Sequence, residues 1–114
     1  MHVEEYDRYA AYAAARSALE AIHRTTGAWP AEVADTARRA AAAVVSAISE
    51  ALGYAPTSPG RRRCLRGALA NALELAAICD IARGHGLGDD ESLRCAGRTL
   101  SLLGLSYQAT AAAE

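Results

Sequence analysis

The chain has 114 residues, 52% of them hydrophobic, yet twenty-nine are alanine, none is phenylalanine and one is tryptophan; thirteen acids balance twelve bases, and every base is arginine. That apolar fraction at a net charge of −1 excludes an intrinsically disordered chain, and three cysteines are too few and odd in number for a disulfide scaffold. No apolar run approaches the roughly 18 residues of a membrane span, and the acidic start MHVEEYDRYA is unlike a secretory signal, so the expectation is a helical, cytoplasmic protein that does not cross a membrane.

Breakers divide the chain into four helix-length pieces. The first piece, about 3–26, is rich in alanine, leucine, arginine and glutamate, all good helix formers, and stops at Gly27. Its stripe is Tyr12, Ala15, Leu19, Ile22 and Thr26. The second piece, about 30–52, opens at Trp29-Pro30, where proline suits a first helical position. Val33, Ala37, Ala40, Val44, Ile48 and Leu52 repeat along it at helical spacing. A proline-bearing linker, Tyr54 to Gly60, leads to the third piece, about 59–83, with Ser58 as its N-cap and Leu65, Leu69, Leu73 and Ala76 as its apolar stripe. The fourth, about 89–112, opens on Asp89-Asp90-Glu91, acids that suit the positive end of a helix dipole, and carries Leu93, Ala96, Leu100, Leu103 and Tyr107 inward. No period-two pattern marks a strand. The expected fold is all-α: one domain over 1–114, an antiparallel up-down-up-down four-helix bundle.

The fourth helix is apolar on two sides. Gly97, Ser101 and Gly104 flank its core stripe, and Leu102, Leu105 and Ala109 point away from it. A helix apolar nearly all round is buried by its own fold or by a neighbouring chain. The reading is self-association through Gly97, Ser101, Leu102, Gly104 and Leu105, the mid-helix glycines being compensated by close backbone approach. Tyr6, Tyr9 and Tyr12 are candidates for the same contact or for an exposed core edge.

Charge is uneven along the chain. Residues 54–84 carry +3, concentrated in Arg61, Arg62, Arg63 and Arg66 in the first turns of the third helix. Cations there oppose the helix dipole. They imply an acidic neighbour within the fold, from Glu4, Glu5, Asp7 or Glu50, or else a phosphate-rich partner or an acidic protein surface. The near-neutral total argues against strong general affinity for nucleic acid.

No catalytic constellation and no cofactor site can be assembled from spacing. Glu20 and His23 form one E-x-x-H, whereas carboxylate-bridged di-iron bundles use two such motifs plus two more glutamates. A metal-dependent oxidase is therefore a remote alternative. Cys64, Cys79 and Cys95 read as small buried hydrophobes. The loop Gly84-His85-Gly86-Leu87-Gly88 follows no strand and brings no P-loop lysine, so it is a helix stop.

The second and third helices resemble a known family. Trp29-Pro30 matches its aromatic-Pro, and Ala37-Arg38-Arg39-Ala40-Ala41 fits the start of its L-R-R-A-A-x-S-I-x-x-N-I-A-E-G stretch. Val44, Ile48 and Glu50 fall on that stretch's isoleucines and glutamate. Ala68 to Leu75, with Glu74-Leu75 intact, is similar to its A-x-G-S-x-x-E-L. The family is that of the four-helix-bundle proteins encoded in intervening sequences of bacterial 23S rRNA genes, which includes the accessory variability protein of diversity-generating retroelements. The family's serine, asparagine and closing glycine are here Ala43, Ala47 and Ala51, and its Gly-Ser pair is Ala70-Asn71. The resemblance implies a non-enzymatic accessory or scaffold protein that assembles with itself as a ring, with five subunits expected. In the retroelement branch it implies binding to nucleic acid and to a reverse transcriptase. Arg38 and Arg39, matched to the family motif, join Arg61, Arg62, Arg63 and Arg66 as candidate residues for a partner or an anion.

Overall fold

The computed structural model describes residues 9–112, which form four α-helices and no strand: α1, Ala10–Thr25; α2, Ala31–Leu52; α3, Pro59–Gly84; and α4, Asp90–Ala112. A single 3₁₀ turn, Thr26–Ala28, extends α1. Residues 1–8, which hold the expected start of the first helix, Tyr6 and the acids Glu4, Glu5 and Asp7, lie outside the described residues. The four helices pack against one another. α1 and α3 each lie against both α2 and α4, and so occupy opposite corners of the bundle.

The helix ends follow local chemistry. Ser58 Oγ accepts the backbone N–H of Arg61 at 3.2 Å, with Pro59 just inside α3, as the linker chemistry implies. Asp89 Oδ1 does the same for the N–H of Ser92 at 2.7 Å, ahead of Asp90 and Glu91 in the first turn of α4. This hydrogen bond is the main reason the Asp89 carboxyl is held below its ordinary range. The chain turns out of α3 at Gly86, whose φ of +74° is the only positive value among the described residues. Gly60 is needed for space: a Cβ there would run into the ring of Tyr54.

Alanine makes the core possible. Among the described residues, fourteen of the twenty-three buried hydrophobic side chains are alanine, so the helix axes come close enough for the few large residues to fill the remaining volume. One cluster gathers Ile22, Trp29, Leu75 and Cys79 around Ala37, Ala41 and Ala96. The other gathers Val44, Ile48, Leu65 and Leu103 around Ala11, Ala15 and Ala68. Trp29 is buried, and its indole N–H donates to the carbonyl of Leu87. That hydrogen bond ties the α1–α2 connection to the α3–α4 loop. Arg24–Glu91 at 3.0 Å and Arg83–Asp90 at 2.9 Å join the ends of α1 and α3 to the start of α4.

The stripes expected on α1, α2 and α4 face inward, but the one on α3 needs correcting. Leu73 is 61% exposed, and the buried series is Leu65, Ala68, Ala72, Leu75, Cys79 and Ala82. Steps of four residues gain about 40° each on a helix of 3.6 residues per turn, so Leu65, Leu69 and Leu73 wind outward. Alternating steps of three and four stay on the core.

Candidate partner-binding surfaces

The arginine block at the start of α3 divides into inward and outward parts. Arg61 is only 9% exposed, and its Nε donates to the carbonyl of Ala51 at 3.1 Å. Ala51 belongs to the last turn of α2, a turn with no basic residue of its own. Arg61 thus lies at the positive end of its own helix while serving the negative end of the preceding one. That placement offsets the local dipole conflict and adds a charged donor to a helix-terminal carbonyl that also accepts the backbone N–H of Tyr54 at 3.1 Å.

Arg62, Arg63 and Arg66 surround a shallow depression of about 310 Å³ at the first turns of α3, with Pro59 beside it. The Arg62 guanidinium lies 6.0 Å from the ring centre of Tyr107 on α4. Hydrogen bonds from Arg62 and then Arg66 hold the Tyr107 phenol below its ordinary pKa. Arg63 and Arg66 are exposed. Glu50, named as an internal counter-charge, makes no ion pair with the block among the described residues and instead helps raise the pKa of the Cys64 thiol, after burial.

Arg38 and Arg39 belong to a different region. The Arg38 Nε donates to Thr26 Oγ1 at 2.9 Å, and its Nη1 lies 3.9 Å from Asp35. Thr26 is itself buried and donates to the Ile22 carbonyl at 2.7 Å. Arg38 therefore braces the α1–α2 corner, while Arg39 is exposed. At 1.5 Å per residue, Arg38 is about 20 Å along α2 from Ala51, where Arg61 attaches. The six arginines do not form one patch.

On α4, Ser101 is exposed and Leu105 is 64% exposed, whereas Gly97 and Gly104 are half-buried. Leu102 departs from expectation: it is half-buried and packs on the cluster containing Leu65 and Leu103. A helix with a neighbour on each side, α1 and α3, buries a wider arc than one apolar stripe, and Leu102 falls within that arc. Among the described residues nothing closely approaches the two glycines, because a Cβ at Gly97 or Gly104 would meet no atom within 4 Å. The backbone approach expected of them is absent within the fold.

Two surfaces escaped the sequence reading. Leu73, Ala77 and Ile81 are all exposed at i, i+4, i+8 and form an apolar ridge along α3. Between α1 and α4 runs a groove of about 410 Å³, floored by Ala10, Ala13, Ala14 and Ser17, with Arg94, Cys95 and Arg98 on the α4 side. The exposed alanines of α1 carried no periodic signal to mark this groove. Ile81 lies outside the expected α3 stripe.

Glu20 pairs with Arg16 at 4.0 Å and is exposed, as is His23. Among the described residues, no group of three or more His, Cys, Asp or Glu is placed to hold a metal ion. Cys79 is buried and its thiol is pushed up to about 11, chiefly by desolvation. Among the described residues, no helix is long and apolar enough to cross a membrane. No protein-family model and no curated protein matches the chain.

Proposed function

We propose that this protein is a non-enzymatic, homo-oligomeric scaffold or accessory protein of the cytoplasm, built on an antiparallel up-down-up-down bundle. The observation that carries the reading is the apolar surface left outside the core: Leu73 at 61%, Ile81 at 62% and Leu105 at 64% exposure. Scattered leucines are ordinary on a monomer. Here two of the three share a ridge with Ala77 on one outer helix face, in a chain with few large apolar residues to spare. The resemblance to the intervening-sequence and retroelement-accessory bundles supports the same reading and adds a ring of five as the expected form. Native mass spectrometry should return a single multiple of the 11.9 kDa chain mass. A monomer at micromolar concentration would sink the proposal.

A second reading, binding to nucleic acid in support of a reverse transcriptase, is favoured by the depression ringed by Arg62, Arg63 and Arg66. Its test is the salt dependence of binding to RNA and DNA, compared with an Arg62/Arg63/Arg66→Ala variant that leaves Arg61 in place. The variant should bind more weakly with a shallower salt slope; no binding by the parent chain at low salt removes the reading.

A further inference from the structure

Resting on the homo-oligomer reading, the geometry points to a specific head-to-tail contact: the α3 ridge of one copy seats in the α1–α4 groove of the next. The ridge is Leu73, Ala77 and Ile81, one i±4 row of the kind that packs between neighbouring helices. The groove floor is alanine and serine, small enough to admit large aliphatic side chains.

Charge decides the pairing. Glu74 and Asp80 are exposed on the two flanks of the ridge, and Arg94 and Arg98 are exposed along one wall of the groove. Among the described residues none of these four makes an ion pair. Because the acids lie on both flanks, either direction of the ridge brings one of them to the arginine wall. A second ridge would bring acids to acids, and a second groove would bring arginines to arginines. The occupant that supplies both the apolar row and the acids is another copy of this chain.

A chain cannot fill its own groove. α1 and α3 occupy opposite corners of the bundle, so the two surfaces face different directions. The contact is therefore heterologous, the kind that propagates into a closed ring or an open filament. It leaves Gly97 and Gly104 outside the interface.

The test uses the full chain in native mass spectrometry, with helix content checked by circular dichroism. Leu73→Glu/Ile81→Glu destroys the ridge, and Ala13→Trp fills the groove at an exposed position. Each variant alone should fall to the mass of one chain. Mixed one to one, they should form a species of two chains and no larger one, since one good ridge and one good groove remain. Glu74→Arg/Asp80→Arg should likewise lose assembly and recover it when Arg94→Glu/Arg98→Glu is combined in the same chain. Wild-type assembly that survives Ala13→Trp intact overturns the contact while leaving the oligomer reading in force. A wild-type monomer overturns both.

Discussion

Replacing Gly97 and Gly104 together by alanine should stabilise this protein. Both residues lie inside α4, where glycine costs roughly 0.5–1 kcal/mol relative to alanine through the backbone freedom lost on folding. The methyl groups would meet no atom within 4 Å, so no steric term opposes the gain. Each substitution is worth about 0.4–1 kcal/mol when the native conformation accepts a side chain. Seven residues of helix separate the two sites by about 10 Å, far enough for the effects to add. The pair should contribute about 1–2 kcal/mol. For a domain of this size that is a rise in Tm of about 4–15 °C. Thermal melts followed by circular dichroism, at several protein concentrations to separate folding from assembly, give the measurement. A Tm that stays level or falls would refute the reasoning, because it would mean that a neighbouring backbone fills the space beside these glycines. The α4 face, rather than the α3 ridge, would then regain the subunit contact.

Arg61→Gln should cost about 1.5–3 kcal/mol, the worth of a hydrogen bond from a charged donor, because the α2 terminus loses its cation and Ala51 its charged partner; urea melts report it, and a neutral result would return Arg61 to the surface. Asp89→Ala should cost about 1 kcal/mol by loss of the α4 cap. Since the folded carboxyl is depressed below its ordinary value of 3.8, that contribution is complete above this value and disappears as pH falls through the lower folded one, so the variant and parent should converge in strong acid. Arg62→Gln/Arg66→Gln should raise the Tyr107 phenol towards its ordinary value of 10.0, seen in a tyrosinate absorbance titration; an unchanged curve would dissociate the tyrosine from the arginines. In native protein at neutral pH, Cys79 should be the last of the three thiols to react with a disulfide reagent, becoming reactive only on unfolding, because it is buried and its thiol is held protonated.

Much of the architecture was legible from local chemistry. Ser58 and Asp89 cap α3 and α4 because a short polar side chain before a helix accepts an N–H that the helix leaves unpaired. The alternating steps of three and four in Ala37, Ala40 and Val44 keep the α2 stripe on the core, because that spacing repeats with little drift. Leu73 was misplaced because three leucines at successive steps of four look like a stripe in one dimension but spiral around a cylinder. Leu102 was misplaced because one helix considered alone does not show how many neighbours will cover it. The arginine block was legible as a cluster, but its division was not. Whether a guanidinium turns to solvent or to the end of another helix depends on where that other helix stops.

By itself, the run of residues determined an all-helical fold, the capping at Ser58 and an alanine-rich inner face, since propensity, capping and helical period all act within a few residues along the chain. Tertiary structure decided which surfaces remain open. Only with α1 and α4 side by side do Ala10, Ala13, Ala14 and Ser17 become the floor of a groove, and only with α2 ending beside α3 does Arg61 turn inward. Those outcomes depend on distances between residues far apart in sequence, which no local pattern encodes.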